Sequence, residues 1–274
     1  MTDMPSARSG RIQIDQYRDG ASLQARMVLY DRFGTNDRSW HLWVFDYLEL
    51  PESSRVLELG CGTGALWSRN LHRLPGGWRI VLSDLSVGML LDAERALGAS
   101  KLRFTWVVAD ADALPLPDRT FDGVIANHML YHVPSLDATL SEIRRVLKPD
   151  GRLFAGTNGR DHMRELWQLV TAFDPEVNSP GNNPNMHLRF SLEDGAASLS
   201  PHFARISLHQ YDNVLVVTEA EAFVGYVLST SQAHRLTKNP RRLTEFRAFV
   251  EDHLIKHGPI RISTSSGLFE AGRA

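Results

Sequence analysis

Three carboxylates, Glu58, Asp84 and Asp110, each stand at or just past the end of an apolar run, and the first sits directly before a glycine turn. Val56-Leu57-Glu58-Leu59-Gly60-Cys61-Gly62-Thr63-Gly64 reads as a buried parallel strand breaking into a tight turn that opens a helix at Ala65. Glycine accepts positive φ and lets a ligand lie against the main chain. The helix start behind it offers free N–H groups to an anionic group. Gly60, Gly62 and Gly64 fit a GxGxG pattern, while Gly60, Gly62 and Ala65 fit the GxGxxA form of a dinucleotide site. Asp84, about 20 residues past the turn, suits a carboxylate that accepts from a ribose diol in either class. Glu58 and Asp110 separate the two. A carboxylate at Glu58 repels a pyrophosphate and holds an ammonium group, and Asp110 is placed to accept from an exocyclic adenine amine. The three together suit an adenosine ligand with an amino-acid tail and no phosphate.

The elements that must position these residues alternate in type. Strands are predicted over Arg55–Leu59, Arg79–Ser83, Leu102–Val108, Asp122–Ala126 and Arg152–Gly156. Helices separate them, capped by Ser86 and Ser135. Five strands alternating with helices mean a parallel sheet covered on both faces. Ahead of this unit, Leu23, Met27 and Tyr30 share one helical face, and a second helix fits Trp40, Trp43, Val44, Tyr47 and Leu48. Beyond Gly159 the pattern predicts a helix over Asp161–Phe173, a loop over Asp174–Asn185, and a short helix capped by Ser191 and Asp194. Phe203–Val217 reads as a strand region bent at Asp212-Asn213. Thr218 and Glu221 suggest a capping box for a helix ending at Ser229, and another helix covers Pro240–His257. Ile260–Phe269 reads as a final strand.

Taken together, Leu57–Gly64, Asp84-Leu85-Ser86 with Met89, Asp110-Ala111, Leu114-Pro115-Leu116-Pro117, Phe121-Asp122, Leu130-Tyr131-His132 and Leu147–Leu153 resemble a class I S-adenosylmethionine-dependent methyltransferase of the methyltransferase-11, small-molecule type. The resemblance covers residues 55–155. It implies a Rossmann-like sheet of seven strands, mostly parallel, with Ile260–Phe269 as the one antiparallel strand and helices on both faces. It also implies a helical N-terminal cap (1–50), a cofactor-binding core (51–160), and a C-terminal part (161–274) that completes the sheet and carries a helical lid from Thr218–His257. Glu58 with Gly60, Cys61, Gly62 and Gly64 is then expected to hold the methionine part of S-adenosyl-L-methionine. Asp84 is expected at the ribose, Leu85 and Met89 beside the adenine, Asp110 and Ala111 at its amine edge, and the Asn127 backbone beneath the sulfonium. Tyr17, Trp40 and Trp43 are further candidates from the cap. If the acceptor keeps its proton near neutral pH, His128 and His132 are the expected general bases. The Asn-Pro-Pro-Tyr type of motif is absent, since Asn127 precedes His128-Met129-Leu130. A nicotinamide-dependent oxidoreductase and a protein that binds the cofactor without transferring methyl are the rival readings.

Composition agrees with an enzyme acting on a small molecule. The 274 residues carry 30 basic and 32 acidic side chains, a net charge of −2, which gives no electrostatic case for gripping nucleic acid or an anionic membrane. Cys61 is the single cysteine; no basic partner adjoins it in sequence, so it reads as a small buried turn residue. The histidines lack metal-ligand spacing, and no metal is expected. The chain has no apolar stretch of about 20 residues and no signal-like N-terminus, so a cytoplasmic protein, monomer or homodimer, is expected.

Overall fold

The structure, a computed structural model, describes residues 20–176, 189–230 and 234–273. In chain order it runs α1 (Ala21–Phe33), α2 (Trp40–Asp46), β1 (Arg55–Leu59), α3 (Ala65–Asn70), β2 (Arg79–Asp84), α4 (Val87–Leu97), β3 (Phe104–Val108), β4 (Phe121–Asn127), α5 (Leu136–Val146) and β5 (Leu147–Asn158). There follow α6 (Arg164–Phe173), α7 (Gly195–Leu199), β6 (Arg205–Tyr211), β7 (Val214–Val217), α8 (Ala220–Leu228), α9 (His234–Thr237), α10 (Pro240–His257), β8 (Ile260–Ser263) and β9 (Ser266–Gly272).

Seven strands form one sheet in the order β3-β2-β1-β4-β5-β9-β6. β9 pairs antiparallel with both neighbours, and the others run parallel. Strict alternation explains why both faces are covered. Leu57, Leu59, Val124, Ala126, Leu153 and Ala155 pack on one side, with Leu140, Ile143 and Val146 of α5 and Leu199 of α7. Val56, Ile80, Leu82, Ile125 and Phe154 pack on the other, with α2, α3 and α4 through Val44, Trp67 and Leu90. The predicted caps form: Ser86 Oγ accepts from the Met89 N–H and Ser135 Oγ from the Ala138 N–H.

The C-terminal part departs from the sequence reading in three places. Phe203–Val217 divides into β6 in the main sheet and β7 in a separate two-stranded sheet, and Ile260–Phe269 divides in the same way into β8 and β9. The pairing Tyr211↔Ser266 continues as Val214↔Ser263, so the two pairs are one antiparallel ribbon bent sharply in an unbroken register. Asn213 holds the bend: its Oδ1 accepts from the N–H groups of Thr35 and Asn36, and its carbonyl accepts from Thr264 Oγ1. Thr218 does not cap α8, whose N-cap is Glu219 without a side-chain cap bond. Glu219 and Glu221 instead reach Arg32 and Arg247 on neighbouring helices. The helix after Gly159 starts at Arg164 rather than Asp161, because Met163 takes a left-handed φ of 61°. Part of the predicted loop Asp174–Asn185 lies outside the described residues.

The bent ribbon carries a third core. α1, α6, α8, α10, β7 and β8 pack around Leu29, Trp167, Leu215, Phe223, Phe246 and Ile262 beyond the end of the sheet. Phe246 is fully buried, with ring centroids 5.1 Å from Phe173 and 6.4 Å from Phe223. Phe246→Ala is expected to lower stability by about 3–5 kcal/mol in urea unfolding. A loss below about 1 kcal/mol would show that α10 does not prop this core.

Candidate active site

The sheet order lays the functional side chains along one edge. Asp110 follows β3, Asp84 ends β2, Glu58 lies near the end of β1, Asn127 ends β4 with His128 directly after it, and Asn158 ends β5. They open into one cavity of about 1010 Å³, roofed by Leu23, Met27 and Tyr30 of α1 and by Tyr226 of α8. This is the place where a doubly covered parallel sheet binds ligands, because only at the strand ends does its backbone leave the core.

At the carboxylate end the turn takes left-handed φ values of 61° at Gly60, 52° at Gly62 and 69° at Gly64. A Cβ on Gly60 would stand 2.8 Å from Met129 Cβ. Asp84 is held by two backbone donors, Gly62 N–H at 3.0 Å and Ser86 N–H at 2.8 Å. Burial raises its pKa, partly countered by those bonds. Glu58 is 2% exposed, and its Oε2 accepts from Trp67 Nε1 at 2.5 Å. Burial pushes its carboxyl up to about 8; the Trp67 bond opposes this and nearby Asp84 adds to it. A buried acid without a cation beside it among the described residues, next to a glycine turn, fits a ligand bringing an ammonium group. Burial also pushes the Cys61 thiol well above its usual range, in keeping with a turn residue.

The other end is aromatic and rich in imidazole. Trp40 Nε1 donates to Asn127 Oδ1 at 2.9 Å, and its ring lies 4.8 Å from His128 and 5.3 Å from Tyr211. His128 takes a left-handed φ of 56°, and its buried Nδ1 has no hydrogen-bond partner among the described residues. Strain of this kind clusters at functional sites. Desolvation lowers His128 to about 3 and His41, His132 and His162 to about 4, so all four are neutral above that range.

The structure brings Glu58, Gly60, Cys61, Gly62, Asp84, Leu85, Met89, Asp110, Ala111, Asn127, His128 and His132 to the cavity. Gly64 is not on its wall; a Cβ there would meet Ala93 Cβ at 3.1 Å, so this glycine seats α3 against α4. Tyr17 lies outside the described residues. Trp40 lines the cavity, while Trp43 stacks behind it at 5.3 Å. Of the predicted lid, Tyr226 is the one described wall residue; α10 supports the roof from behind. Sequence reasoning missed Tyr30, His41, His162 and Tyr211. His162 fell within the helix predicted over Asp161–Phe173, and Tyr30 read as one more position on a helix face.

Known proteins match this chain in the same region. A family model described as a methyltransferase domain matches residues 57–155. The malonyl-[acyl-carrier protein] O-methyltransferase of Geobacter sulfurreducens is 32% identical over 182 residues, covering 66% of this chain and 67% of the relative. The ubiquinone/menaquinone biosynthesis C-methyltransferase UbiE of Paracoccus denitrificans is 35% identical over 118 residues, covering 42% of this chain. That match spans 47% of the relative, so the chain spans about half its length. Among solved structures, the [4+2]-cyclase SpnF shares the fold with a TM-score of 0.59 at 20% identity, covering 100% of this chain and 98% of that one.

Glu58 gives a pH test. The folded protein keeps this proton to about pH 8, whereas the ordinary glutamate value is 4.5. The folded state therefore binds more protons than the unfolded chain in that window, and stability falls as pH rises through it. The histidines act lower: their contribution is complete above 6.5 and is lost as pH falls towards about 4. Between pH 6.5 and 8, wild type should lose stability relative to Glu58→Gln by up to about 1.4 kcal/mol per pH unit in urea unfolding. Parallel curves for the two proteins would assign the alkaline decline elsewhere.

Proposed function

The chain belongs to the class I S-adenosylmethionine-dependent methyltransferases, and we propose that it transfers the methyl group of S-adenosyl-L-methionine to an O, N or C atom of a small-molecule acceptor. The observation that carries this reading is a single cavity with two chemically different ends. Carboxylates and the glycine turn lie over β3, β2 and β1, and an aromatic, imidazole-lined wall lies over β4, β5 and β9. Its volume of about 1010 Å³ is at the top of the usual range for ligand sites, roughly 300–1,000 Å³, which supports two molecules held together.

In this reading Glu58 meets the ammonium of the cofactor, and the backbone at Gly60, Cys61 and Gly62 cradles its amino-acid tail. Asp84 accepts from the ribose hydroxyls, with its orientation set in advance by the Gly62 and Ser86 N–H groups. Leu85 and Met89 flank the adenine, and Asp110 with Ala111 faces its amine edge. The Asn127 backbone lies beneath the reacting centre, and His128 and His132 stand by as proton acceptors. Bound there, the cofactor supplies an activated methyl group, so the protein's task is to align the acceptor and exclude water. Such alignment is worth roughly 7–11 kcal/mol in favourable cases.

Residues 51–160 form the donor-binding core, 1–50 the cap, and 161–274 the part that completes the sheet and roofs the acceptor. The near-neutral charge supports a partner that is neither nucleic acid nor a membrane surface. Among the described residues no helix is long and apolar enough to cross a membrane; in this reading the protein acts in the cytoplasm, as monomer or homodimer. A nicotinamide dinucleotide is disfavoured by Glu58, a buried acid that would face the pyrophosphate and offer it no cation.

Calorimetric titration separates these readings. S-adenosylhomocysteine should bind and NAD should not; the reverse order would overturn the proposal. Binding near pH 7 should release a proton as Glu58 ionises against the ammonium, read as a heat that varies with buffer ionisation enthalpy. Asp84→Ala should weaken S-adenosylhomocysteine by about 10- to 150-fold, the loss of charge-assisted bonds worth about 1.5–3 kcal/mol. Release of S-adenosylhomocysteine across a metabolite panel then identifies the acceptor.

A further inference from the structure

Tyr30 of α1 and His162 of the turn after β5 meet in the acceptor half of the cavity, Oη to Nε2 at 2.8 Å, with stacked rings inclined by 14°. His162 is fixed from both sides. Its turn is stitched to the ribbon bend, because Gly159 N–H donates to the Ser265 carbonyl and Met163 N–H to the Ser263 carbonyl. Its Nδ1 lies 3.1 Å from both the carbonyl oxygen and the N–H nitrogen of Ser265. The backbone of one residue, Ser265, therefore satisfies either neutral tautomer. With the proton on Nδ1, donated to the Ser265 carbonyl, Nε2 accepts from the Tyr30 phenol, whose oxygen also bonds to the Tyr226 side chain and keeps a lone pair for an incoming O–H. A base anchored by a third group is the usual construction for proton removal. His128 Nδ1 lacks such an anchor among the described residues.

The charges around the pair select the acceptor. Arg26, one turn earlier on α1, donates to the Ser229 carbonyl at 2.8 Å and to its hydroxyl at 3.2 Å. Asp31 is exposed and paired with Arg69 at 2.9 and 2.5 Å, and Asp37 is exposed at the rim. Tyr226 and Tyr131, the other titratable groups facing Tyr30, are phenols. Among the described residues of this half, an ammonium acceptor would meet no buried carboxylate, and the cation Arg26 is already engaged by Ser229. Trp40, Tyr131 and Tyr211 line this half and offer ring surface to an uncharged aromatic acceptor, whose hydroxyl proton then has to leave.

We propose that Tyr30 and His162 are a proton relay for a phenolic acceptor, Tyr30 touching the hydroxyl and His162 acting through it. This rests on the methyl-transfer reading. The phenol oxygen forms its bond to the methyl carbon as the carbon–sulfur bond breaks, and that electron pair stays on sulfur. The phenol proton passes to Tyr30 Oη while the Tyr30 proton passes to His162 Nε2. One positive charge leaves sulfur and one appears on the imidazole, so the cavity's net charge is unchanged through the step.

The test uses 4-substituted phenols, from 4-nitrophenol to 4-methoxyphenol, with wild type, His162→Asn and Tyr30→Phe. Both variants should keep their affinity for S-adenosylhomocysteine. Each should lose about 10²–10⁴-fold in kcat on 4-methoxyphenol, and under about 10-fold on the far more acidic 4-nitrophenol. In the S-adenosylhomocysteine complex, bound 4-nitrophenol should show less phenolate absorption in His162→Asn than in wild type. Equal losses across the series, or an unchanged spectrum, would overturn the relay. So would a wild type that binds S-adenosylhomocysteine yet methylates none of the phenols. Absence of S-adenosylhomocysteine binding would instead overturn the methyl-transfer reading beneath it. If His162→Asn fails to fold, Tyr30→Phe, which removes one oxygen, carries both measurements.

Discussion

Burial of both faces of the parallel sheet is the constraint on which this structure depends. Strands with apolar side chains on each face leave no room for chemistry along their length, so the functional groups collect where the strands stop. Glu58 is the exception that marks the rule: a carboxyl within β1, 2% exposed, with Trp67 as its side-chain donor. The sheet order then turns a set of strand ends into a line. Reading from β3 to β9, that line passes from carboxylates through the glycine turn to imidazoles and phenols. A ligand lying along it meets a different chemistry at every strand.

The acceptor half depends on a second device, the ribbon that leaves the sheet at Asp212-Asn213 and Thr264-Ser265 without changing register. Because the bend keeps both strands paired, β7 and β8 project beyond the sheet as a rigid stem. That stem brings α8 and α10 over the strand ends and holds the turn that carries His162. The roof is thus built on hydrogen-bonded ladder rather than on a free loop.

The donor half was legible in the sequence because its determinants are local. A strand, three glycines and a following helix lie within about a dozen residues, and the other carboxylates sit at strand ends that periodicity alone locates. Gly64 shows the limit of such reading: its φ of 69° fits the motif, yet its neighbour is Ala93 of α4 rather than the cavity. The other half was legible only in part: Trp40, Asn127, His128 and His132 were read from the sequence and line the cavity, whereas Tyr30, His162 and Tyr226 come from three elements far apart in sequence. Their meeting depends on where the ribbon bends, and the strand pattern located that bend without saying that the two sides join different sheets. The Thr218 and Glu221 pattern misled for a related reason. Carboxylates beside a helix start are free to pair with cations on neighbouring helices, as Glu221 does with Arg247.

The two halves also differ in charge, and that difference orients whatever binds. At the donor end, buried Glu58 and Asp84 both resist ionisation, so each carries a desolvation penalty that a cationic group can offset. At the acceptor end, desolvation keeps His41, His128, His132 and His162 neutral. A ligand with an ammonium at one end is therefore drawn to β1 and gains nothing by reversing. The neutral histidines add no repulsion to a positive centre lying between the halves, and they remain able to accept a proton. Burial, which excludes charge from the sheet, thus supplies polarity along the site: an acid waiting for a cation at one end, and bases held free of protons at the other.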